Sequence, residues 1–227
     1  MGVDFQDKVA IVTGAGNGIG RADALALAAA GASVVDNDVG DAAASAVVSE
    51  ILGAGGRAVA VAGDVAEWKT NAGLVAEAVR SFGRLDIVVT NAGIVRRSPI
   101  AAVTEQDLDD QVAVLFKGTF GLIRHAASYW QSENANGIRA HRTIVATSSS
   151  AGVPGGVQEF SVYGAMKSGI AALALGAALE FRDFGVTVNA ILPHAATRMD
   201  ADAKGLPDPG IFGAGDPSPD KDRKSVV

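Results

Sequence analysis

Val9-Ala10-Ile11-Val12-Thr13-Gly14-Ala15-Gly16-Asn17-Gly18-Ile19-Gly20 is the stretch on which the fold turns. Its first four residues are apolar without alternation, as in a strand buried on both faces, and the glycines that follow break the strand into a turn. The turn opens a helix predicted from Arg21 to Ala30. The same punctuation recurs along the chain. Four times an alanine-rich helical stretch runs into glycine and then into a β-branched run: Leu25 to Ala30 before Gly31, Ala46 to Leu52 before Gly53 to Gly56, Val75 to Phe82 before Gly83, and Leu173 to Phe184 before Gly185. Glycine supplies the left-handed residue that ends a helix, and the run after it reads as a strand. The strands predicted are Val9 to Val12, Ser33 to Asp36, Ala58 to Val61, Leu85 to Val89, Thr143 to Thr147 and Thr187 to Leu192. Strand and helix in alternation imply a doubly wound α/β fold of three layers, a parallel sheet with right-handed crossovers, of the Rossmann kind.

The 227 residues fit one domain able to bury roughly seven tenths of its unfolded surface. Residues 1–199 form that domain. Residues 200–227 hold four Pro and four Gly among many Asp and Lys, and are expected to be a poorly ordered tail. A net charge of −6 offers no basic stripe, so nucleic acid is not an expected partner. No cysteine is present, which excludes disulfides and thiolate chemistry. The N-terminus lacks a charged-then-apolar leader, and no apolar run reaches the roughly 18 residues of a membrane span. A cytoplasmic location is therefore expected. His125, His141 and His194 lack ligand spacing, so no metal is expected.

A glycine loop between a strand and a helix is the context of a dinucleotide site. Gly14 allows the turn, Gly18 lets a pyrophosphate approach the backbone, and Gly20 packs helix against strand. With Asn17 and Ile19 these residues would hold the phosphates on the helix N-terminus, where N–H groups and the dipole favour anions. Asp38, 18 residues after Gly20, would accept the hydroxyls of the adenosine ribose. A carboxylate there repels a 2′-phosphate, and no Arg or Lys stands at Ala15, Asn17 or Val39, so NAD is favoured over NADP. Asp36 faces the same side of the strand as Asp38. Should that side be inward, Asp36 is an uncompensated acid in a core position. Asp64-Val65 and Asn91-Ala92-Gly93 follow the third and fourth strands, at the carboxyl edge where open sheets bind ligands; for Asp64, ordinary turn chemistry is an equal alternative.

Tyr163-Gly164-Ala165-Met166-Lys167 places a phenol and an ammonium four residues apart on one helix face. A phenol working near neutral pH needs about 4 kcal/mol of help. An ammonium about 4 Å away supplies about 1 kcal/mol in bulk water and about 4 at the effective dielectric of a protein site, so the pocket must be partly dry. Ser149, after the fifth strand, can offer its hydroxyl to a substrate carbonyl at the same edge. Ser98 to Ala102 and Val153 to Phe160 are the expected substrate walls.

These residues resemble the short-chain dehydrogenase/reductase family, in the loop Thr13 to Gly20, in Asn91 to Gly93, and in Ser149 with Tyr163 and Lys167. Asn37 to Gly40, Asn91 to Arg96, Lys117 to Phe120, Tyr129-Trp130 and Pro193 to Met199 are similar to a narrower branch, the 3-hydroxyacyl-CoA dehydrogenase domain of peroxisomal multifunctional enzymes and its bacterial relatives. The resemblance implies reversible oxidation of a secondary alcohol to a ketone by NAD. It implies Tyr163 as general acid/base, Lys167 lowering its pKa and binding the nicotinamide ribose, Ser149 steadying the substrate oxygen, Thr197 meeting the carboxamide, and Pro193 beside the coenzyme. It also implies a homodimer or homotetramer through helices Glu105 to Ser132 and Tyr163 to Phe184. The chain departs from the family in three places. Leu115 stands where Asn or His orders a proton-relay water, His194 follows Pro193 in place of Gly, and the chain is C-terminally shortened after Met199, where members continue into substrate-covering helices and a seventh strand. Two functions are carried forward: an NAD-dependent oxidoreductase on a hydroxyacyl or similar alcohol, and an NAD-binding homologue with little or no turnover.

Overall fold

The computed structural model describes residues 4–152 and 157–193. Six strands, β1 (Val9–Thr13), β2 (Ser33–Asp38), β3 (Arg57–Ala62), β4 (Ile87–Thr90), β5 (Arg142–Thr147) and β6 (Val186–Ile191), form one sheet in the order β3-β2-β1-β4-β5-β6. Every pairing is parallel. This is the expected doubly wound sheet, and the chain reverses its winding direction between β1 and β4. Gly31, Gly55, Gly83 and Gly185 all take positive φ behind their helices, as the repeated glycine stops required.

The helices are α1 (Gly18–Ala29), α2 (Asp41–Gly53), α3 (Trp68–Phe82), α4 (Glu105–Gln111), α5 (Gly118–Ala135) and α6 (Ser161–Glu180). They cover both faces. Ile11, Val35, Val88 and Ile144 point into a core shared with Leu74 of α3, Leu122 of α5 and Ile170 of α6. Ala10, Val12, Val34 and Val89 point the other way, against Ala24 of α1 and Val47 and Ile51 of α2. Strands alternating between two apolar layers explain why their sequence shows no polar face. Trp130 is wholly buried and donates its indole N–H to the Leu85 carbonyl at 2.9 Å, tying α5 to the base of β4.

Three expectations change at their edges. The strand expected from Leu85 begins at Ile87; just before it the Asp86 carboxylate accepts from the Val9 N–H at 3.0 Å and from Arg84 at 2.7 Å. The single helix expected over Glu105 to Ser132 is interrupted by a π-helical segment, Val112–Lys117, between α4 and α5. The helix expected to run to Phe184 ends at Glu180 and closes with a 3₁₀ turn, Arg182–Phe184. By length and composition α6 could cross a membrane, contrary to the expected lack of such a run. Instead it packs on β5 and β6 with Lys167 buried in its middle. The substrate-wall residues 153–156, His194, Thr197 and the expected tail lie outside the described residues.

Candidate active site

The loop from β1 to α1 is held by the side chains of Thr13 and Asn91, residues that the sequence motifs include without assigning them this role. Thr13 Oγ1 accepts from the backbone N–H groups of Asn91 and Ala92, both at 3.1 Å, and donates to the Val89 carbonyl at 3.4 Å. Asn91 Nδ2 in turn donates to the carbonyls of Thr13 at 3.1 Å and Gly14 at 3.2 Å. The ends of β1 and β4, the neighbours at the winding switch, are therefore stitched together before any ligand arrives. Gly14 has φ +62°, and a Cβ there would sit 2.8 Å from the Ala92 Cα; one on Gly20 would lie 2.4 Å from both Asn91 Nδ2 and the Gly14 carbonyl oxygen. The motif needs glycine at these two positions to let the two loops touch. Thr13 and Asn91 are both visible in the sequence motifs; the bonds between their segments are not.

Helix α1 begins at Gly18 with Asn17 at its N-cap in an extended conformation, without a side-chain cap and without an acid in its first turn. Its leading N–H groups therefore point outward beside the glycine loop, which suits a pyrophosphate. Asp38 closes the adenosine side. Its Oδ2 accepts from the Gly16 N–H at 3.1 Å and its Oδ1 from the Gly40 N–H at 3.0 Å, so its carboxylate is fixed against the loop. Asp36 does point inward. It is wholly buried and neither carboxylate oxygen has a hydrogen-bond partner, and burial, with the charge of Asp38 adding to it, pushes its pKa up to about 7. Asp64 is exposed and its Oδ1 accepts from the Ala66 N–H at 2.8 Å, the turn chemistry that was the alternative reading. Val65 is buried beneath it against Gly118, and Ala92 and Gly93 line the same edge.

The catalytic candidates meet where β5 ends against α6. Ser149 sits beside Tyr163, where its hydroxyl favours the ionised phenol. Ser149 Oγ accepts from the Ala151 N–H at 3.2 Å, which leaves its proton to point at the phenol oxygen or at a substrate. Ser148 Oγ donates to the Lys167 carbonyl at 2.7 Å and fastens α6 to β5. Gly164, inside the helix between Tyr163 and Lys167, lets the loop lie directly on it: a Cβ there would be 2.8 Å from the Ala151 carbonyl oxygen.

Lys167 differs from the role the resemblance implies. Its Nζ donates to the Thr147 carbonyl at 2.6 Å and lies 5.7 Å from the centre of the Tyr163 ring. Burial lowers its pKa to about 8. Tyr163 is raised, not lowered: burial pushes the phenol up and the Ser149 hydroxyl only partly opposes it. Dryness strengthens any charge–charge attraction here, but in this geometry it penalises the phenolate first. Leu115 completes the dry floor. It is wholly buried in the π-helical segment, and a Cβ on Gly93 would meet its Cδ2 at 3.0 Å and Lys167 Nζ at 3.9 Å. Pro193 follows β6 at the same carboxyl edge.

A glycine cradle at the winding switch, an uncapped helix start and a Ser/Tyr/Lys cluster together fit a nicotinamide dinucleotide. The family model described as short chain dehydrogenase matches residues 8–204. The chain belongs to the short-chain dehydrogenase family. Members of that family are oxidoreductases that use NAD or NADP on small molecules. The chain is 46% identical over 209 residues to the hydroxyacyl-CoA dehydrogenase ChsB1 of Mycobacterium tuberculosis, covering 89% of this chain and 65% of that protein. It is 37% identical over 204 residues to the peroxisomal multifunctional enzyme type 2 of Mus musculus, covering 86% of this chain and 26% of that much longer protein. A crystal structure of a short chain dehydrogenase from Mycobacterium avium superposes with a TM-score of 0.83 at 50% identity, over 87% of this chain and 70% of that one.

Proposed function

We propose that this chain is an NAD-dependent oxidoreductase that interconverts a secondary alcohol and a ketone, with a 3-hydroxyacyl-CoA or a related thioester as substrate. The observation that carries the proposal is the meeting of Ser149, Tyr163 and Lys167 where β5 ends against α6, with the Lys167 amine buried 5.7 Å from the centre of the Tyr163 ring. Gly14, Asn17, Gly18, Ile19 and Gly20 would hold the pyrophosphate, and Asp38 the adenosine ribose. Asp64, Val65, Asn91, Ala92 and Gly93 would border the adenine and inner ribose. Pro193 and Thr197 are assigned to the nicotinamide end. Asp38, already fixed by two N–H donors, supports NAD over NADP because a 2′-phosphate would meet a carboxylate that cannot turn away.

Once bound, the nicotinamide supplies the acceptor or donor for the electron pair, and the chain supplies the proton chemistry. Ser149 donates to the substrate oxygen and orients it. Tyr163 takes the hydroxyl proton in oxidation and returns it in reduction. Such a positioned acid/base contributes about 10²- to 10⁴-fold. Lys167 has to swing from the Thr147 carbonyl toward the phenol, or act on it across the ring, to favour the phenolate. NADH formation from NAD with a panel of secondary alcohols including 3-hydroxybutyryl-CoA, run beside NADP and a Tyr163→Phe control, tests the reading. Equal behaviour of parent and control overturns it.

Leu115 favours a second reading, a NAD-binding homologue with little turnover, because an isobutyl group cannot hold a relay water below Lys167. Tight NAD binding by calorimetry without chemistry would select it. The proposal includes a cytoplasmic location and a homodimer or homotetramer through α4, α5 and α6. Leu175 and Leu179, 63% and 71% exposed on α6, support that assembly, and gel filtration measures it.

A further inference from the structure

The loop leaving β4 and the loop entering α6 are joined across the mouth of the site by contacts of three kinds. The Ser98 N–H donates to the Glu159 carbonyl at 3.0 Å. Arg97 Nη2 donates to Glu159 Oε2 at 2.9 Å, with the two side chains 37% and 34% exposed, so neither is fully screened by water. The same guanidinium lies 5.2 Å from the centre of the Phe160 ring. Glu159 has φ +66°, a conformation that residues other than glycine seldom take, and in it the backbone carbonyl and the carboxylate both serve the opposite loop.

What the contacts hold is close to the chemistry. Phe160 is the N-cap residue of α6 and meets Tyr163 edge to face, with ring centres 5.8 Å apart and planes at 76°. Lys167 Nζ lies 5.7 Å from the centre of that same Tyr163 ring. A cation, two rings and a second cation are therefore successive neighbours, from the half-exposed Arg97 to the buried amine. Through Phe160, Arg97 reaches the Tyr163 ring.

We propose that Arg97 and Glu159 are positioning residues that clasp the two substrate walls together and press Phe160 against Tyr163, setting the width of the substrate entrance and the seat of the phenol. The inference rests on the reading of Tyr163 as the acid/base group. The part of the coenzyme cradle that holds the pyrophosphate and the adenosine ribose, built on β1, α1 and β2, shares none of these contacts. An opened clasp therefore weakens the handling of substrate and leaves coenzyme binding alone.

The test pairs kinetics with a measurement that needs no turnover. With 3-hydroxybutyryl-CoA and NAD, Arg97→Met raises KM about 5- to 10-fold, from the lost ion pair and the lost cation over the ring. Glu159→Gln raises it less, and Arg97→Lys, which keeps charge but not the flat guanidinium, falls between parent and Arg97→Met. The double variant Arg97→Met/Glu159→Gln is no worse than Arg97→Met, because both break one link. NADH affinity, read by fluorescence titration, stays within about twofold throughout. Amide hydrogen exchange over residues 97–99 and 157–163 speeds up in each single variant, and in the double to the extent seen for Arg97→Met. Unchanged KM and unchanged exchange in Arg97→Met overturn the clasp, as do single effects that multiply in the double variant. If the parent oxidises no alcohol offered, the catalytic reading fails, and exchange alone then decides the clasp: faster in the single variants supports it, unchanged overturns it.

Discussion

Asp36 and Lys167 are both sealed from solvent, one on the coenzyme half of the sheet and one on the catalytic half, and they differ in company. Burial drives each toward its neutral form, the acid up to about 7 and the amine down to about 8. Lys167 has the Thr147 carbonyl at 2.6 Å and the Tyr163 ring beside it. Asp36 stands between Val12 of β1 and Ala60 of β3, and neither of its oxygens finds a donor. The same desolvation acts on both. The amine is held by a carbonyl beside the phenol ring, whereas the carboxyl is tolerable chiefly as an acid that keeps its proton. An ion with a built-in partner marks chemistry, and one without marks an unrepaid cost to stability.

The largest expected effect tests the uncompensated half. Because the folded-state pKa of Asp36 lies above its ordinary 3.8, the folded protein keeps a proton that the unfolded chain has released between there and about 7. Stability therefore falls as pH climbs through that window, and the loss is complete above it, about 4 kcal/mol in all. Asp36→Asn removes this dependence: urea unfolding should show the variant well ahead of the parent at pH 8 and nearly level with it at pH 4. A parent curve without that fall would break the comparison.

Lys167→Met comes next. Turnover should drop by about 100-fold, and the Thr147 carbonyl is left without its donor, which costs about 1–3 kcal/mol. The pH signature is opposite to that of Asp36. A lysine lowered to about 8 from 10.5 carries its full burial penalty below about 8, so the parent regains stability as pH rises between the two values, and the methionine variant lacks this rise. Smaller again is Asp38→Asn, which should weaken the preference for NAD over NADP by about tenfold, or about 1.4 kcal/mol, in the ratio of kcat/KM values. The smallest effect belongs to Leu115→Asn, which restores a polar group beneath Lys167 and should raise kcat a few-fold at neutral pH. Turnover that falls in this variant would show that the floor is better dry.

The architecture was legible because strands buried on two faces and helices stopped by glycine leave marks in any sequence. The positions of Gly14, Asp38, Ser149, Tyr163 and Lys167 along the carboxyl edge follow from that alternation alone. The supporting contacts were not legible, because they depend on which loops touch. Nothing in the order of residues says that Thr13 and Asn91 will bond across 78 positions, or that Arg97 will find Glu159 62 positions on. The direction of the Tyr163 shift was missed for a related reason. A spacing of four fixes the side of the helix, but the distance from Nζ to the phenol depends on where the lysine finds its acceptor. The phase of Asp36 with Asp38 was readable, but which side of the strand faces inward was left open until the fold placed Asp36 against the apolar layer of α1 and α2, where it is wholly buried.

The widened turn at Val112–Lys117 has its own consequence for how this helix tolerates change. A π-helical turn holds about one more residue than an α-helical one, so α4 and α5 are out of phase by about 100° relative to an unbroken helix. At the start of the segment Gln111 is buried, and its Oε1 accepts from the Arg96 N–H at 3.3 Å and steadies the loop after β4. Deleting a single residue within the segment would leave a smooth helix but would rotate Gln111 away from the loop. Length, more than residue type, is what this stretch cannot give up.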